Sequence, residues 1–301
     1  MKCLECGQEF ESLKSLHGHL KAHDMIAANY YVKHYARKNM LTGELLQFKN
    51  YEDYFARDFD SYAEMARWLR GVDKETARAY ALERLVKRKE EKGLEFAPCT
   101  NDLKLSKLPT VRMYEDLFKT YEAAAKLAGL KVRWGTVLPD LIPAPEDMEI
   151  MIDTREQQPL SFPKSVENKL DFGDYAVGGE HYTYTFVDRK SAADLKSTLT
   201  SGFERFVREI KRAREFGCFL YIVIEATIKQ VHEETYQTKY PSSVYFAWAN
   251  LKEIANEYAD VCQFIFAGSR EKSEELIPKL LVNGPRLWFT DVQHLLDKGE
   301  L

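Results

Sequence analysis

Cysteine and proline are scarce, at 5 and 10 of 301 residues, and charge of one sign is scarcer still, the formal net charge being only −4. Each shortage excludes something. A small, odd number of cysteines does not make a disulfide framework, so a reducing compartment is expected. No run of about 18 apolar residues offers a membrane span, and the opening MKCLECGQEF is polar from its second residue, without the apolar core of a signal peptide. The near-neutral balance rules out a basic footprint over the whole chain, so a nucleic-acid partner would have to be met by local patches. What is present is core-forming material. At 45% hydrophobic and 13% aromatic residues the chain can fill packed interiors, and its length suits two or three domains.

The first cysteines are the most specific signal. Cys3, Cys6, His19 and His23 have the spacing C-x2-C-x12-H-x3-H, which can close a tetrahedron of two sulfurs and two nitrogens around Zn²⁺. Phe10 and Leu16 stand where a finger places its two large core side chains. Residues 1–24 thus resemble a two-Cys two-His ββα zinc finger, and the run HLKAHDM followed by NYYVKHY resembles the Ros/MucR and phage type. In such fingers the base-facing helix positions would be Ser12, Ser15 and Gly18, none of which makes a bidentate base contact. Lys14 and Lys21 are the expected phosphate contacts, so this finger is expected to anchor on DNA rather than read it.

Residues 25–95 read as a charged helical region, with ETARAYALERLVKRKEEKG an amphipathic helix stopped by Gly93. Its KRKEEK run mixes signs and reads as a solvated face. In residues 96–134, Thr100 with Asp102 suits a helix start, Leu108-Pro109-Thr110 a break and Gly129 a stop. With Phe118, Tyr121, Ala124 and the Ala-Gly-Leu close, this segment resembles the homing-endonuclease-associated repeat, a helical DNA-binding module, although Lys119 replaces the glycine many repeats carry after Phe. Residues 135–147 form a proline-rich linker.

From residue 148 to 301 the texture becomes short apolar strands, EIMIDTRE, YTYTFVDRK, CFLYIVIEA and CQFIFAG, with helical stretches between the later ones, predicting an α/β domain with a mixed sheet. Three acids fall at strand ends: Asp153, Asp174 and Asp188. Gly178 and Gly179 can turn the chain so that a hairpin brings Asp174 near Asp188, and Asp188 shares a face with Lys190 by the period of two. Carboxylates so gathered repel unless a cation sits among them, and oxygen-only ligands suit Mg²⁺ or Mn²⁺. A lysine there can orient water or steady the charge growing on a scissile phosphate.

The order VDxRE, GD, (E/D)RK-x3-D resembles the XPF-type, or ERCC-type, nuclease domain, which has a restriction-endonuclease-like fold. The resemblance implies that Asp174 and Asp188 hold Mg²⁺ and that Lys190 acts in hydrolysis, with Asp153 the fourth catalytic residue. It gives supporting roles to Arg155, Glu156, Arg189, Asp194 and, near the DNA, Arg205. The family's usual Glu is Asp188 here, one methylene shorter. The chain after Gly284 is too short for the helix-hairpin-helix modules of larger members, so the N-terminal finger and helices are expected to do the targeting. The function implied is a Mg²⁺-dependent DNA endonuclease of homing or phage kind, in the cytoplasm of a prokaryotic or phage-infected cell, or in a eukaryotic nucleus. The partner is duplex or branched DNA, and a homodimer through the nuclease domain stays open. Two alternatives remain: a structure-selective flap or branch nuclease, and a catalytically inactive zinc-finger DNA-binding protein.

Overall fold

The computed structural model describes residues 1–236 and 242–301. At the N-terminus Lys2 and Glu9 bridge antiparallel around a knuckle, with Cys3 N donating to Gln8 O and Gly7 N to Cys3 O. Helix α1 (Leu13–His19) follows, and Ser12 caps it by accepting from Ser15 N. A 3₁₀ turn, Leu20–His23, carries the second histidine. The expected two-residue core is too small an account. Leu16 and Leu20 are buried together with Tyr30, Tyr31, Leu46 and Tyr54, while Phe10 is only half-buried. A stretch of 24 residues cannot cover enough apolar surface alone, so the segment through residue 56 supplies the rest, including α2 (Ala27–His34) and α3 (Tyr51–Ala56).

The knuckle has a second copy. Lys38 and Leu45 bridge antiparallel, Asn39 N donates to Glu44 O, and Gly43 N donates to Asn39 O, repeating the pattern of Lys2, Cys3 and Gly7. Both glycines have positive φ, +82° and +74°. Asn39 and Thr42 stand where the first copy has its two cysteines. The buried Asn39 amide donates to Asp60 and Glu64, so a polar cluster fills the place of a ligand set.

Helices α4 (Tyr62–Gly71), α5 (Lys74–Lys92), α6 (Thr100–Leu105), α7 (Val111–Phe118) and α8 (Tyr121–Leu127) complete the N-terminal half. Gly93 ends α5 in the left-handed conformation, as expected. The solvated-face reading of KRKEEK fails at Arg88, which is buried and pairs with the fully buried Asp102 at 2.7 Å. Lys119 takes φ +74° between α7 and α8, a position that favours glycine.

Six strands form one mixed sheet in the order β2-β1-β3-β4-β5-β6: β1 (Ile150–Asp153), β2 (Ser165–Asn168), β3 (Tyr175–Val177), β4 (Thr185–Lys190), β5 (Phe219–Ile224) and β6 (Cys262–Phe266). β1 pairs antiparallel with β3, and β3 with β4, while β4, β5 and β6 run parallel. Parallel neighbours need crossovers. Helices α9 (Ala192–Thr198) and α10 (Phe203–Phe216) join β4 to β5, and α11 (Ile228–Tyr236) with α12 (Ser242–Glu257) join β5 to β6. On one face Leu220, Ile222 and Ile224 of β5 meet Phe206, Ile210, Leu251 and Ile254. On the other, Phe219, Tyr221 and Val223 meet residues of α13 (Arg270–Asn283) and α14 (Val292–Lys298). Both sides of the central strands are dry, which is why their sequences run apolar without alternation.

The helical module and the sheet share buried polar contacts. Thr100 N donates to Asp291 Oδ2 at 2.8 Å, and Asn101 Nδ2 to Phe264 O at 2.7 Å. Within residues 135–147, Gly135 N donates to Phe289 O at 2.7 Å and Ile142 N to Asn283 Oδ1 at 2.7 Å.

Candidate active site

β4 is the centre of the site. Its register with β3 puts Tyr175 opposite Val187, so Asp174, one residue before β3, lies beside Asp188. Two hydrogen bonds fix it there. Asp174 N donates to Val187 O at 2.8 Å, and Arg189 N donates to Asp174 Oδ2 at 2.7 Å. The chain can pass this close only because residue 173 is glycine: φ is +59°, and a Cβ would lie 2.6 Å from Val187 O. Asp188 is 5% exposed. It points to the same sheet face as Lys190, and Lys190 Nζ meets Asp188 Oδ1 at 2.5 Å.

The field at these groups follows from burial and proximity. Burial, then the Asp188 charge, push the Asp174 carboxyl up to about 8, against Lys190 and the Arg189 N–H, which pull it down. For Lys190 burial works to lower the pKa, but the charge and hydrogen bond of Asp188 outweigh it and the ammonium is held above its usual value. A fourth ionisable group faces the same space. Glu209, on α10, is raised by burial and then by Asp188, with Lys190 and a hydrogen bond from the Gly173 N–H opposing. Nothing in GD or DRK-x3-D points to Glu209. Only the helical wheel of α10 could have found it, since it borders the buried Phe206 and Ile210.

Asp153 stands differently. Oδ1 accepts from Arg155 N and Nε, and Oδ2 from Arg155 Nη2 and Leu170 N, at 2.6–2.9 Å. The Arg155 guanidinium is the first cause of a pKa lowered to about 2. Asp153 reaches Asp174 through the backbone, donating N–H to its carbonyl at 2.8 Å. Arg189 turns to the other side of the sheet, where Glu156 and Glu225 each pair with it at 3.0 Å and Arg270 pairs with Glu225 at 3.3 Å. Burial opposes the Arg189 charge, and these acids outweigh it. Asp194 is exposed in the first turn of α9. There Ser191 Oγ donates to its Oδ2 at 2.6 Å and its own N donates to Ser191 Oγ at 3.1 Å, a reciprocal cap. Arg205 is exposed in the first turn of α10. Among the described residues neither makes a hydrogen bond or ion pair with Asp174 or Asp188.

The second candidate centre is at the N-terminus. One ligand atom from each of Cys3, Cys6, His19 and His23 lies within 4.8 Å of the others. Cys6 Sγ is 3.3 Å from His19 Nε2, Cys3 Sγ 3.7 Å from His23 Nε2, and the two Nε2 atoms are 3.1 Å apart. Bonds of about 2.0–2.3 Å to a shared tetrahedral ion would produce edges of this size. This group could hold a metal ion. Lys14 and Lys21 are exposed beside it, and the Ser15 hydroxyl, expected to face bases, is 2.9 Å from that of Ser12.

No protein-family model matches the chain, and no curated protein matches it in sequence. Among solved structures, XPF from Aeropyrum pernix aligns at 18% identity over 44% of this chain and 64% of its own, with a TM-score of 0.33. XPF from Aeropyrum pernix in complex with DNA aligns at 17% identity over 44% and 63%, with a TM-score of 0.34. In both cases the chain covers less than two thirds of the neighbour's length.

Proposed function

We propose that this chain is a metal-dependent DNA endonuclease that hydrolyses phosphodiester bonds at the end of β4. The observation carrying this reading is the placement of Asp174 beside the Asp188–Lys190 pair: Arg189 N holds one carboxylate at 2.7 Å, and Lys190 Nζ lies 2.5 Å from the other. Two half-desolvated carboxylates at one place are unfavourable without a cation, and an all-oxygen donor set fits a hard one. Asp174 and Asp188 would hold Mg²⁺ or Mn²⁺, which when bound supplies Lewis acidity and a more acidic water. The chain's own part is positional and electrostatic. Lys190 carries a fixed positive charge where a pentavalent phosphorane would accumulate negative charge. Arg189 places Asp174 through its backbone and is locked by Glu156 and Glu225. Asp153 clamps Arg155 and the 170 loop, acting on the site through Asp174.

The four-ligand group at the N-terminus would hold structural Zn²⁺, and its surface lysines would anchor the chain on DNA phosphates, with the helical module adding contacts. A homing or phage-type role and a homodimer through the sheet domain belong to the same proposal. Among the described residues no helix is long and apolar enough to cross a membrane.

The test is cleavage of plasmid, duplex, single-strand, flap and fork DNA with Mg²⁺ or Mn²⁺, wild type beside Asp188→Ala and Asp174→Ala. Cutting by wild type that both variants lose, with binding retained, supports the site. Cutting that survives either substitution removes it, and binding without cutting on long native DNA by wild type moves the reading to an inactive DNA-binding protein.

A further inference from the structure

Helix α6 is where α5 of the N-terminal half meets α12 of the sheet domain. Asp102 on α6 is held by Arg88 of α5 at 2.7 Å and by Asn256 of α12 at 3.4 Å. These two bonds set which faces of α5 and α12 look at α6. Lys92 is one turn after Arg88, and Lys252 one turn before Asn256, so each shares a stripe with that anchor. Past the end of α6 the chain turns at Lys107, and Leu108 N reaches back to Leu103 O at 3.0 Å. Lys107 has φ +57°, a conformation that favours glycine. A lysine kept at such a position points to a use for its side chain.

Lys107 and Lys252 are half-buried, with Lys49 and Lys92 exposed on either side. Among the described residues none of these lysines has an ion pair or a side-chain hydrogen bond. Burial is the first cause that holds the Lys107 ammonium below its ordinary value; Asp53 opposes it, and Lys49 and Arg57 add to it. Lys252 is brought down to about 8, by burial first and then by Arg88, with Asp102 opposing and Lys92 and Lys107 adding. The charges thus form a row, Lys92, Lys252, Lys107 and Lys49, across the junction. His232 of α11 faces the same row, its pKa lowered by burial and then by Lys107. The nearby acids are committed elsewhere. Asp53 pairs with Arg57 at 2.9 Å, Asp102 with Arg88 at 2.7 Å, and Glu233 with Lys229 at 3.6 Å. The row is therefore short of negative charge, and half-buried ammonium groups side by side are unfavourable without an anion.

We infer that Lys107 and Lys252 form a phosphate site at this junction, and that a DNA strand supplies the phosphate, its neighbouring phosphodiesters meeting Lys49 and Lys92. Lysine binds phosphate as a point charge, and the two arginines at hand, Arg57 and Arg88, are locked by carboxylates. A row of cations fits a polymer that repeats its charge along its length. The site shares no residue with Asp174, Asp188 and Lys190. It rests on the DNA-binding part of the reading above and not on cleavage. A strand seated there touches both halves of the chain at once.

The experiment uses the full chain without added Mg²⁺, with a short duplex DNA and, separately, inorganic phosphate. Lys107→Gly is the first variant, because glycine suits φ +57° and the turn is kept. It should melt no lower than wild type in phosphate-free buffer. It should also lower the slope of log affinity against log salt on the duplex by about one. Lys252→Met should lower that slope equally, and the two together by about two. Lys107→Arg, which keeps the charge, retains the slope. Inorganic phosphate raises the Tm of wild type and leaves that of the double variant unmoved. An unchanged slope in the double variant overturns DNA as the ligand, and an unchanged slope with no phosphate effect on wild type overturns the site. A lower Tm in Lys252→Met with an unchanged slope means that the lysines only steady the end of α6, which also overturns it. A parallel run with Mg²⁺ keeps this result apart from the nuclease reading. A reduced slope without any cutting by wild type sinks the nuclease and spares the site. Cutting by wild type with an unmoved slope does the reverse.

Discussion

Replacing Gly173 by alanine should damage the site from the backbone outward, and the damage can be divided into two parts. The first is conformational. Gly173 has φ +59°, and a side-chain-bearing residue there costs about 1–2 kcal/mol. The second is steric. The new Cβ would lie 2.6 Å from Val187 O and 2.9 Å from Val187 C, both backbone atoms of β4 that cannot rotate away. Relief requires moving the Asp174 loop off β4, at a cost typical of overpacking, about 1–3 kcal/mol. The sum is roughly 2–5 kcal/mol, or about 5–15 °C in Tm for a domain of this size. Gly179→Ala separates the parts, because that residue has φ +61° with nothing within 4 Å of the added Cβ. It should lose only the conformational share. The assays are thermal melts of wild type and both variants, with cutting rates measured well below each Tm. Gly173→Ala should lose cutting by at least an order of magnitude at temperatures where it is folded, since the loop that moves carries Asp174, whereas Gly179→Ala should cut normally. Equal Tm losses for the two variants would refute the close approach to Val187. Normal cutting by a destabilised Gly173→Ala would refute the role given to Asp174.

Three further outcomes follow from particular contacts. Asp153 has a folded-state pKa lowered to about 2 from 3.8, so its stabilisation is present above the unfolded value and is lost as pH falls through the folded one. It amounts to on the order of 2 kcal/mol, less some screening at the exposed Arg155. The stability gap between wild type and Asp153→Asn in urea should therefore be full at pH 7 and shrink below pH 4, and a gap independent of pH would contradict the ion pair. Asp291→Ala strips the acceptor from Thr100 N, at 2.8 Å, and the cap from α14. It should cost about 2–4 kcal/mol while Asp291→Asn costs less, and a neutral alanine variant would mean that the module does not depend on this buried bond. If the N-terminal group holds zinc as proposed, Cys3→Ser should lower the zinc content, measurable by atomic absorption, and expose residues 1–56 to protease rather than residues 1–24 alone, because Tyr30, Leu46 and Tyr54 share one core with Cys3 and Leu16. Proteolysis confined to residues 1–24 would refute the shared core.

Much of the candidate site's geometry was legible because its signals are local. The period of two put Asp188 and Lys190 on one face, and the glycines at 178 and 179 announced the hairpin that joins Asp174 to them. The strand texture of β1, β4, β5 and β6 was equally plain, since buried strands read as apolar runs. β2 was not. All four residues of SVEN are exposed, so no apolar alternation marks this edge strand. The second knuckle escaped for a related reason: KNMLTGELL keeps the glycine and the turn of KCLECGQEF but none of its ligands, and a turn alone has little sequence signature. Arg88 misled because its charge masked its place on the buried stripe of α5, with Ala77, Ala81 and Leu85, and its partner Asp102 lies 14 residues away.

The three acids of the motif look equivalent in sequence, and hydrogen-bond capacity sorts them. A carboxylate has about four lone-pair sites. Those of Asp153 are taken by Arg155 and Leu170, in four bonds of 2.6–2.9 Å. Asp174 accepts a single bond among the described residues, from Arg189 N, and Asp188 a single one, from Lys190 Nζ. Unused acceptor capacity therefore sits on Asp174 and Asp188, next to a Glu209 whose charge is likewise opposed by burial. Asp153 uses its oxygens to fix the loop around Leu170 and the Arg155 side chain. The acid furthest from having free lone pairs is thus the one that fixes the neighbouring loop, and the acids that keep them are the ones a cation would find.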